Sequence, residues 1–563
     1  MGLTSGGKNL NILPQHGERD ISEIISPVTE EKLLHPEIIN PYQLDRDRSS
    51  DRAFIVDLGL DALLNSVPFR YSDSREVAKR ILAEMGSDLD TVAYRQETFQ
   101  DLISDGKLRS AVQDYVKKMD GLEYKLEYFR GRPNWQNGLD LIRQYRDFIE
   151  NRSDLSSAGS RALKEVDSYF GKIKSSKQFV ELCYFIDRIN NMEGIDFRVY
   201  LDNNGSPVRM SALELAERKS TERPRISLIE RWLGRKDEGQ SLRDAGETNR
   251  LGKIIQEYMD KQFTAIVMAY LGQIREATEL LEPLDFYASF AEYFTRLRDV
   301  GFDICKPTLL PPDERKMTVT DARNPLLVET RVLSAKNGRF HLFPKIGKRD
   351  KKVIPNDIHH DAESNMFIIT GPNNGGKTTY VKAIGLVQLL SQKGLFVPAK
   401  SAEMCFVDGI YTHFVTPEDI TKGEGRYRNE LRRIKDIIEN ATPYSLVILD
   451  EPCGGTSHEE GERQSLALLD GFHQLGSTTY FTTHMHLLTK EIDSGRYPAA
   501  RNLSVECLYD GKEITYTYKV KSGAFGKSFG EEIARELGLM PEDITATISK
   551  RAEEKGFSSI LRQ

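Results

Sequence analysis

Two hydrophobic spacings divide the chain. From residue 53 to about 310, apolar residues recur every three or four positions, as in SREVAKRILAEMG and GKIIQEYMDKQFTAIVMAYLGQIREATELLE, the spacing of helices that bury one face. One stretch in this region, FRVYLDNNGSPVRM (197–210), reads instead as a strand pair. Asn203, Asn204 and Gly205 tolerate positive φ and supply its turn. From about residue 315 the pattern changes to short apolar runs, MFIIT (366–370), SLVIL (445–449) and TTYFTT (478–483), each followed by a helix-period segment. Alternation of this kind predicts a mostly parallel sheet covered by helices. Residues 1–52 carry scattered prolines and no sustained period, and read as an extended arm. The expected layout is multidomain: an N-terminal arm over 1–52, an all-α region over 53–314 and an α/β domain over 315–563.

The run MFIIT leads directly into TGPNNGGKTTY (370–380). Gly371 to Thr378 fits G-x-x-x-x-G-K-[ST], between an apolar strand and a helix. Glycines there let backbone N–H groups turn inward around phosphate, and the helix N-terminus adds partial positive charge. Gly371, Pro372, Asn373, Asn374, Gly375, Gly376, Lys377, Thr378 and Thr379 are therefore the candidate nucleotide-binding residues. Lys377 is expected to reach the β- and γ-phosphates, and the Thr378 hydroxyl to ligate Mg²⁺. The run SLVILDE (445–451) ends in two carboxylates beside the place where such a loop would lie. Asp450 is the candidate metal ligand, and Glu451 the candidate base for an attacking water. His484, leaving the third run, is either a sensor of the γ-phosphate or a surface histidine at a helix start.

These residues together, TGPNNGGKTTY, NATPYSLVILDEPCGGTS, TTYFTTH and SGAFGKSFG, resemble in their order the ATPase domain of the MutS mismatch-repair family. The resemblance is clear over about 315–555, where the strand–loop–helix motif is strongest. It is weaker over the helical half, where DLDTVAYRQETFQDLI and LLEPLDFYASFAEY look like core and lever segments. It implies an all-α core and lever region, then an α/β ABC-type P-loop ATPase domain with a C-terminal helical segment. It also implies ATP and Mg²⁺ as cofactors, a homodimer with composite nucleotide sites, and DNA and repair proteins as partners. His484 matches the family's switch histidine, and Thr456 and Ser457 match an interface loop. Gly425 stands where the family has a serine that reaches the partner's γ-phosphate, and Arg426 follows it. Gly454 replaces an interface arginine, and Val353 replaces the adenine-stacking aromatic, leaving Tyr518 to offer a ring. The tail SGAFGKSFGEEIARELGLMPEDI resembles a segment that packs across to the partner subunit.

Other features qualify that expectation. The Phe-x-Glu wedge of mismatch readers has three formal matches, Phe148–Glu150, Phe179–Glu181 and Phe290–Glu292, all inside helical patterns. The residues before the helical core are too few for the two α/β domains of such readers, and the C-terminus has no room for a Smr nuclease domain. Direct mismatch reading is therefore not expected; a clamp on DNA in repair or recombination is. The net charge of −7 places any nucleic-acid contact on a local basic face. ERKSTERPRISLIERWLGRK (217–236) is either such a face, with Arg223, Arg225, Arg231, Arg235 and Lys236 on phosphates, or a solvated helical hairpin. A nucleotide-switched scaffold for protein or RNA is the alternative function. A structural-maintenance-type ATPase is disfavoured because a long coiled coil would separate its two motifs. The five dispersed cysteines form no C-x-x-C pair, and neither a signal-peptide profile nor a membrane-length apolar run appears, which together suggest a cytoplasmic protein.

Overall fold

The structure, a computed structural model, describes residues 53–71, 73–85, 88–190, 192–201, 207–217, 244–299, 301–327, 353–415, 426–509, 514–524, 534–535 and 537–555. The chain forms two compact units. Among the described residues, one holds those of 105–288 with 70–71; the other holds those of 53–69, 73–104 and 289–555.

The first unit is helical, as the spacing predicts. Its helices include Gly106–Gly131, Trp135–Glu150, Arg161–Ser175, Lys177–Asn190 and the 36-residue Asp244–Glu279. Their starts are written locally. The Asp105 carboxylate accepts from the N–H groups of Lys107 (2.8 Å) and Leu108 (3.1 Å), and Asn134 accepts from Asn137 N (2.9 Å), satisfying donors a helix leaves free. Tyr115, Phe148 and Phe170 fill the interior edge to face, with centroids of the last two 5.1 Å apart. The strand pair is present as β1 (Met192–Leu201) and β2 (Pro207–Glu217), antiparallel and longer than the sequence suggests. Its expected turn residues lie outside the described residues. All three Phe-x-Glu matches lie within helices.

The second unit carries two sheets. One is mixed, in the order β3 (Thr308–Leu310), β7 (Ser401–Cys405), β4 (Met317–Ala322), β5 (Asn356–His360). The other has six strands in the order β12-β11-β6-β10-β9-β8, with β6 Met366–Thr370, β8 Ile410–His413, β9 Leu446–Asp450, β10 Thr478–Thr482, β11 Ala500–Tyr509 and β12 Ile514–Ser522. Every pairing from β11 to β8 is parallel, and β12 closes the edge antiparallel. The centre is therefore parallel, as strand–helix alternation predicts. Strands β6, β9 and β10 are buried on both faces, which explains their unbroken apolar or threonine-rich spelling.

The helices near residues 53–104 group with these sheets. The cause is packing. Leu58 lies against Gly385 beneath the helix Lys377–Gln392, and the Gln96 amide donates to Pro307 O (2.9 Å). Phe99, fully buried, packs on Phe396 (5.2 Å between centroids) and Phe294 (6.0 Å). An amphipathic helix declares that one face is covered but not which partner covers it. No helix among the described residues is long and apolar enough to cross a membrane.

Phe99→Ala should therefore destabilise the sheet-bearing unit by about 3–5 kcal/mol, the usual loss for a buried phenylalanine. Urea unfolding followed by tryptophan-independent circular dichroism measures it. A loss below about 1 kcal/mol would contradict this packing.

Candidate nucleotide site

The carboxyl ends of the adjacent parallel strands β6, β10 and β9 deliver the candidate residues to one place. After β6 the chain turns through Gly371 (φ 147°), where a Cβ would come within 3.1 Å of Val505 Cβ on β11. A side chain there would force the loop and β11 apart. Asn374 adopts a left-handed conformation (φ 64°), and Gly376 (φ 103°) caps the helix Lys377–Gln392. The loop thus reverses tightly and aims the start of that helix at the strand ends. Asn324 fixes it from outside, its amide donating to Thr379 O (2.9 Å).

Lys377 is buried to 5% exposure and turns back over the loop. Its Nζ donates to Gly371 O (3.1 Å) and lies 3.0 Å from His484 Nε2 and 3.5 Å from Glu451 Oε1. Burial lowers its pKa from the ordinary lysine value, and the Glu451 charge opposes that fall. On the next strand, the Asp450 carboxylate is held from two sides. Thr378 Oγ1 donates to Oδ2 (2.9 Å) and Thr482 Oγ1 to Oδ1 (2.7 Å). Burial raises the Asp450 pKa, and these two hydroxyls resist the rise.

Glu451 takes the left-handed region (φ 52°), as does Cys453 (φ 64°), so the chain leaves β9 in a sharp turn. The Glu451 N–H donates to Thr482, at 3.2 Å to the carbonyl and 3.1 Å to the hydroxyl. Its carboxylate meets His484 Nε2 at 2.8 Å. The bond from His484 lowers the Glu451 pKa, and the nearby lysine adds to this against burial. His484 thus meets the Glu451 carboxylate while its own side chain stays 42% exposed. Thr456 and Ser457 stand at the start of the helix His458–Leu475, with Thr456 Oγ1 donating to Glu460 (2.6 Å).

A cavity of about 760 Å³ opens beside the loop, lined in part by Val353, Asn356, Asn373, Lys377, Glu451 and Tyr518. Val353 is buried. Tyr518 has φ 58°, and its ring stacks on Tyr516 at 6.2 Å. Asn356 fixes that bend, donating to Tyr518 O and accepting from Val520 N, each at 2.9 Å. Loop donors, a buried ammonium and a polar-rimmed cavity suit an anionic ligand with a flat group attached. A threonine hydroxyl and a carboxylate side by side suit Mg²⁺, which takes one or two such oxygens and completes its shell from phosphates and water.

Thr482, Asn324 and Asn356 act in this site without a sequence motif to announce them. A threonine inside TTYFTT reads as strand, and the two asparagines lie outside the loop in sequence. Gly425, Arg223, Arg225, Arg231, Arg235 and Lys236 lie outside the described residues. Arg426 opens the helix Arg426–Asn440.

Residues 367–555 match the family model described as MutS domain V. The DNA mismatch repair protein MutS of Chlorobium limicola is 36% identical over 499 residues, covering 87% of this chain and 52% of that protein. That of Chlorobium chlorochromatii is 35% identical over 266 residues (47% and 28%), and that of Caldicellulosiruptor bescii 38% over 223 (39% and 25%). The chain spans about half, or less, of the length of these curated relatives.

The depressed Glu451 pKa sets a sign for pH dependence. The stability it contributes is fully present above the ordinary glutamate value, about 4.3, and is lost as pH falls through its lower native value. The stability difference between wild type and Glu451→Gln, followed by denaturation from neutral to acid pH, should shrink below about pH 4. A difference constant across that range would contradict the pairing.

Proposed function

We propose, for a chain that belongs to the MutS family, that its sheet-bearing unit is an ABC-type P-loop ATPase acting as a homodimer on DNA. The observation that carries this reading is the meeting of Lys377, Asp450, Glu451 and His484 at the ends of β6, β9 and β10, with Thr378 bonded to Asp450 at 2.9 Å. The loop from Gly371 to Thr379 would wrap the phosphates with its backbone N–H groups, and Lys377 would hold their β- and γ-oxygens. Val353 and Tyr518 would flank the base. Thr378 and Asp450 would hold Mg²⁺, which supplies neutralisation of phosphate charge.

In the hydrolytic step, water attacks the γ-phosphorus as the bond to the leaving ADP oxygen breaks, and the water's proton passes to Glu451. His484 orients the Glu451 carboxylate while that transfer occurs. The products are ADP and inorganic phosphate. Gly425, Arg426, Thr456 and Ser457 are our candidates for the face toward a second copy. Arg223, Arg225, Arg231, Arg235 and Lys236 are our candidates for phosphate contacts on DNA, in repair or recombination in the cytoplasm. Repair proteins are the expected further partners.

Two variants separate binding from chemistry. Lys377→Ala should abolish tight ATP binding. Glu451→Gln should bind ATP yet hydrolyse it about 10²–10⁴ times more slowly, the usual range for a general base. Hydrolysis by Glu451→Gln at the wild-type rate would overturn the base assignment.

The DNA part needs its own measurement: affinity for duplex, junction and single-stranded DNA at several salt concentrations. The expected result is binding that weakens steeply with salt, as counterion release requires. Affinity for none of them, with ATP turnover unaffected by DNA, would favour a nucleotide-switched scaffold for protein or RNA, which the acidic net charge of −7 also suits.

A further inference from the structure

The turn that presents Glu451 is held from below by a second carboxylate. Glu430 lies on the helix Arg426–Asn440 and is buried to 8% exposure. Its Oε1 accepts from Cys453 N at 2.6 Å, and a Cβ at Gly455 would lie 3.1 Å from its Oε2. The carboxylate therefore sits under residues 453–455, immediately after Glu451. This is where the backbone is least relaxed, because Glu451 and Cys453 both take left-handed conformations. Such conformations are strained and persist only where surrounding bonds over-determine them.

The remaining surroundings of Glu430 are equally specific. His413, at the end of β8 and 3% exposed, places Nε2 3.4 Å from Glu430 Oε1 without the alignment of a hydrogen bond. One helical turn further on, Arg433 grips the same strand end. It donates to Phe414 O (3.2 Å) and Thr412 O (3.4 Å) and pairs with the buried Asp57. Asp57 in turn accepts from Thr412 Oγ1 at 2.7 Å. Glu430 and Arg433 thus tie one face of this helix to two places, the turn after β9 and the end of β8.

We propose that Glu430 is a positioning residue for Glu451, transmitting the placement of the helix Arg426–Asn440 to the turn that carries the base. A buried carboxylate is costly unless it is bonded, and here its bond goes to a backbone N–H two residues beyond Glu451. A shift of that helix would drag the turn and move the Glu451 carboxylate without disturbing the loop that holds phosphate. The inference rests on the ATPase reading above, with Glu451 as base.

The test is steady-state ATP hydrolysis and equilibrium ATP binding by wild type, Glu430→Ala and Glu430→Gln, with amide hydrogen exchange across residues 451–455. Glutamine keeps an oxygen for the Cys453 N–H, whereas alanine does not. The expected result for Glu430→Ala is kcat lower by about 10- to 100-fold, the effect of a reacting group displaced by about 1 Å, with ATP affinity unchanged and faster exchange at Cys453. Glu430→Gln should retain kcat within about threefold. Wild-type kcat in Glu430→Ala, equal loss in both variants, or a fall in ATP affinity matching the fall in kcat would overturn the proposal.

If Glu430→Ala does not fold, Glu430→Asp replaces it, since its carboxylate falls one methylene short of Cys453. It should lose kcat at unchanged affinity, and wild-type kcat there would overturn the proposal. Absence of turnover in the wild type would sink the ATPase reading instead. Exchange at Cys453, faster in Glu430→Ala and unchanged in Glu430→Gln, would then decide the structural hold alone.

Discussion

Asp450 and its two threonines hold the site together. Thr378 reaches it from the first turn of the helix after the loop, and Thr482 reaches it from the end of the neighbouring strand. Three elements that are distant in sequence therefore converge on one buried carboxylate. Burial alone would favour its protonated form, so the hydroxyl bonds keep an acceptor available where a cation would need one. The first turn after the loop and the ends of β9 and β10 are joined at that junction. Replacing either hydroxyl by a methyl group would leave a buried carboxylate short of a donor, which costs more than the bond itself contributes.

Around this junction several residues take strained backbone. Asn374, Glu451, Cys453 and Tyr518 are non-glycine residues at positive φ on or beside the cavity or the turn after β9, while Arg315 and Asp321, also at positive φ, do not line it. Three of the site residues are fixed by bonds from a regular element. Thr482 binds the Glu451 N–H, Glu430 binds the Cys453 N–H and Asn356 binds both sides of Tyr518. Rigid strands thus supply position, and short turns supply the direction in which functional groups face.

Much of this was legible in the chain. MFIIT, LVILD and TTYFT spell buried parallel strands because no face of them meets water, and the glycine-rich turn after the first is read from spacing alone. What escaped was tertiary. The mixed sheet β3-β7-β4-β5 is built from short strands far apart in sequence, with no run long enough to reveal it. The helices near 53–104 show an apolar stripe, but only Leu58 against Gly385 and Phe99 against Phe396 reveal that it faces the sheets. Glu430 sits in RYRNELRRIK, where one acid among basic residues reads as a solvated face. Its burial depends on the left-handed turn at Cys453, which local sequence does not encode.

The proposed chemistry requires Thr378 and Asp450 to form a divalent-cation site next to a phosphate-binding loop. ATP affinity of the wild-type chain, measured by calorimetry with Mg²⁺ and again with a chelator, tests that most directly. The expected result is binding tighter with Mg²⁺ by roughly tenfold or more, about 1.4 kcal/mol. Equal affinity in the two conditions, or no ATP binding in either, would contradict it.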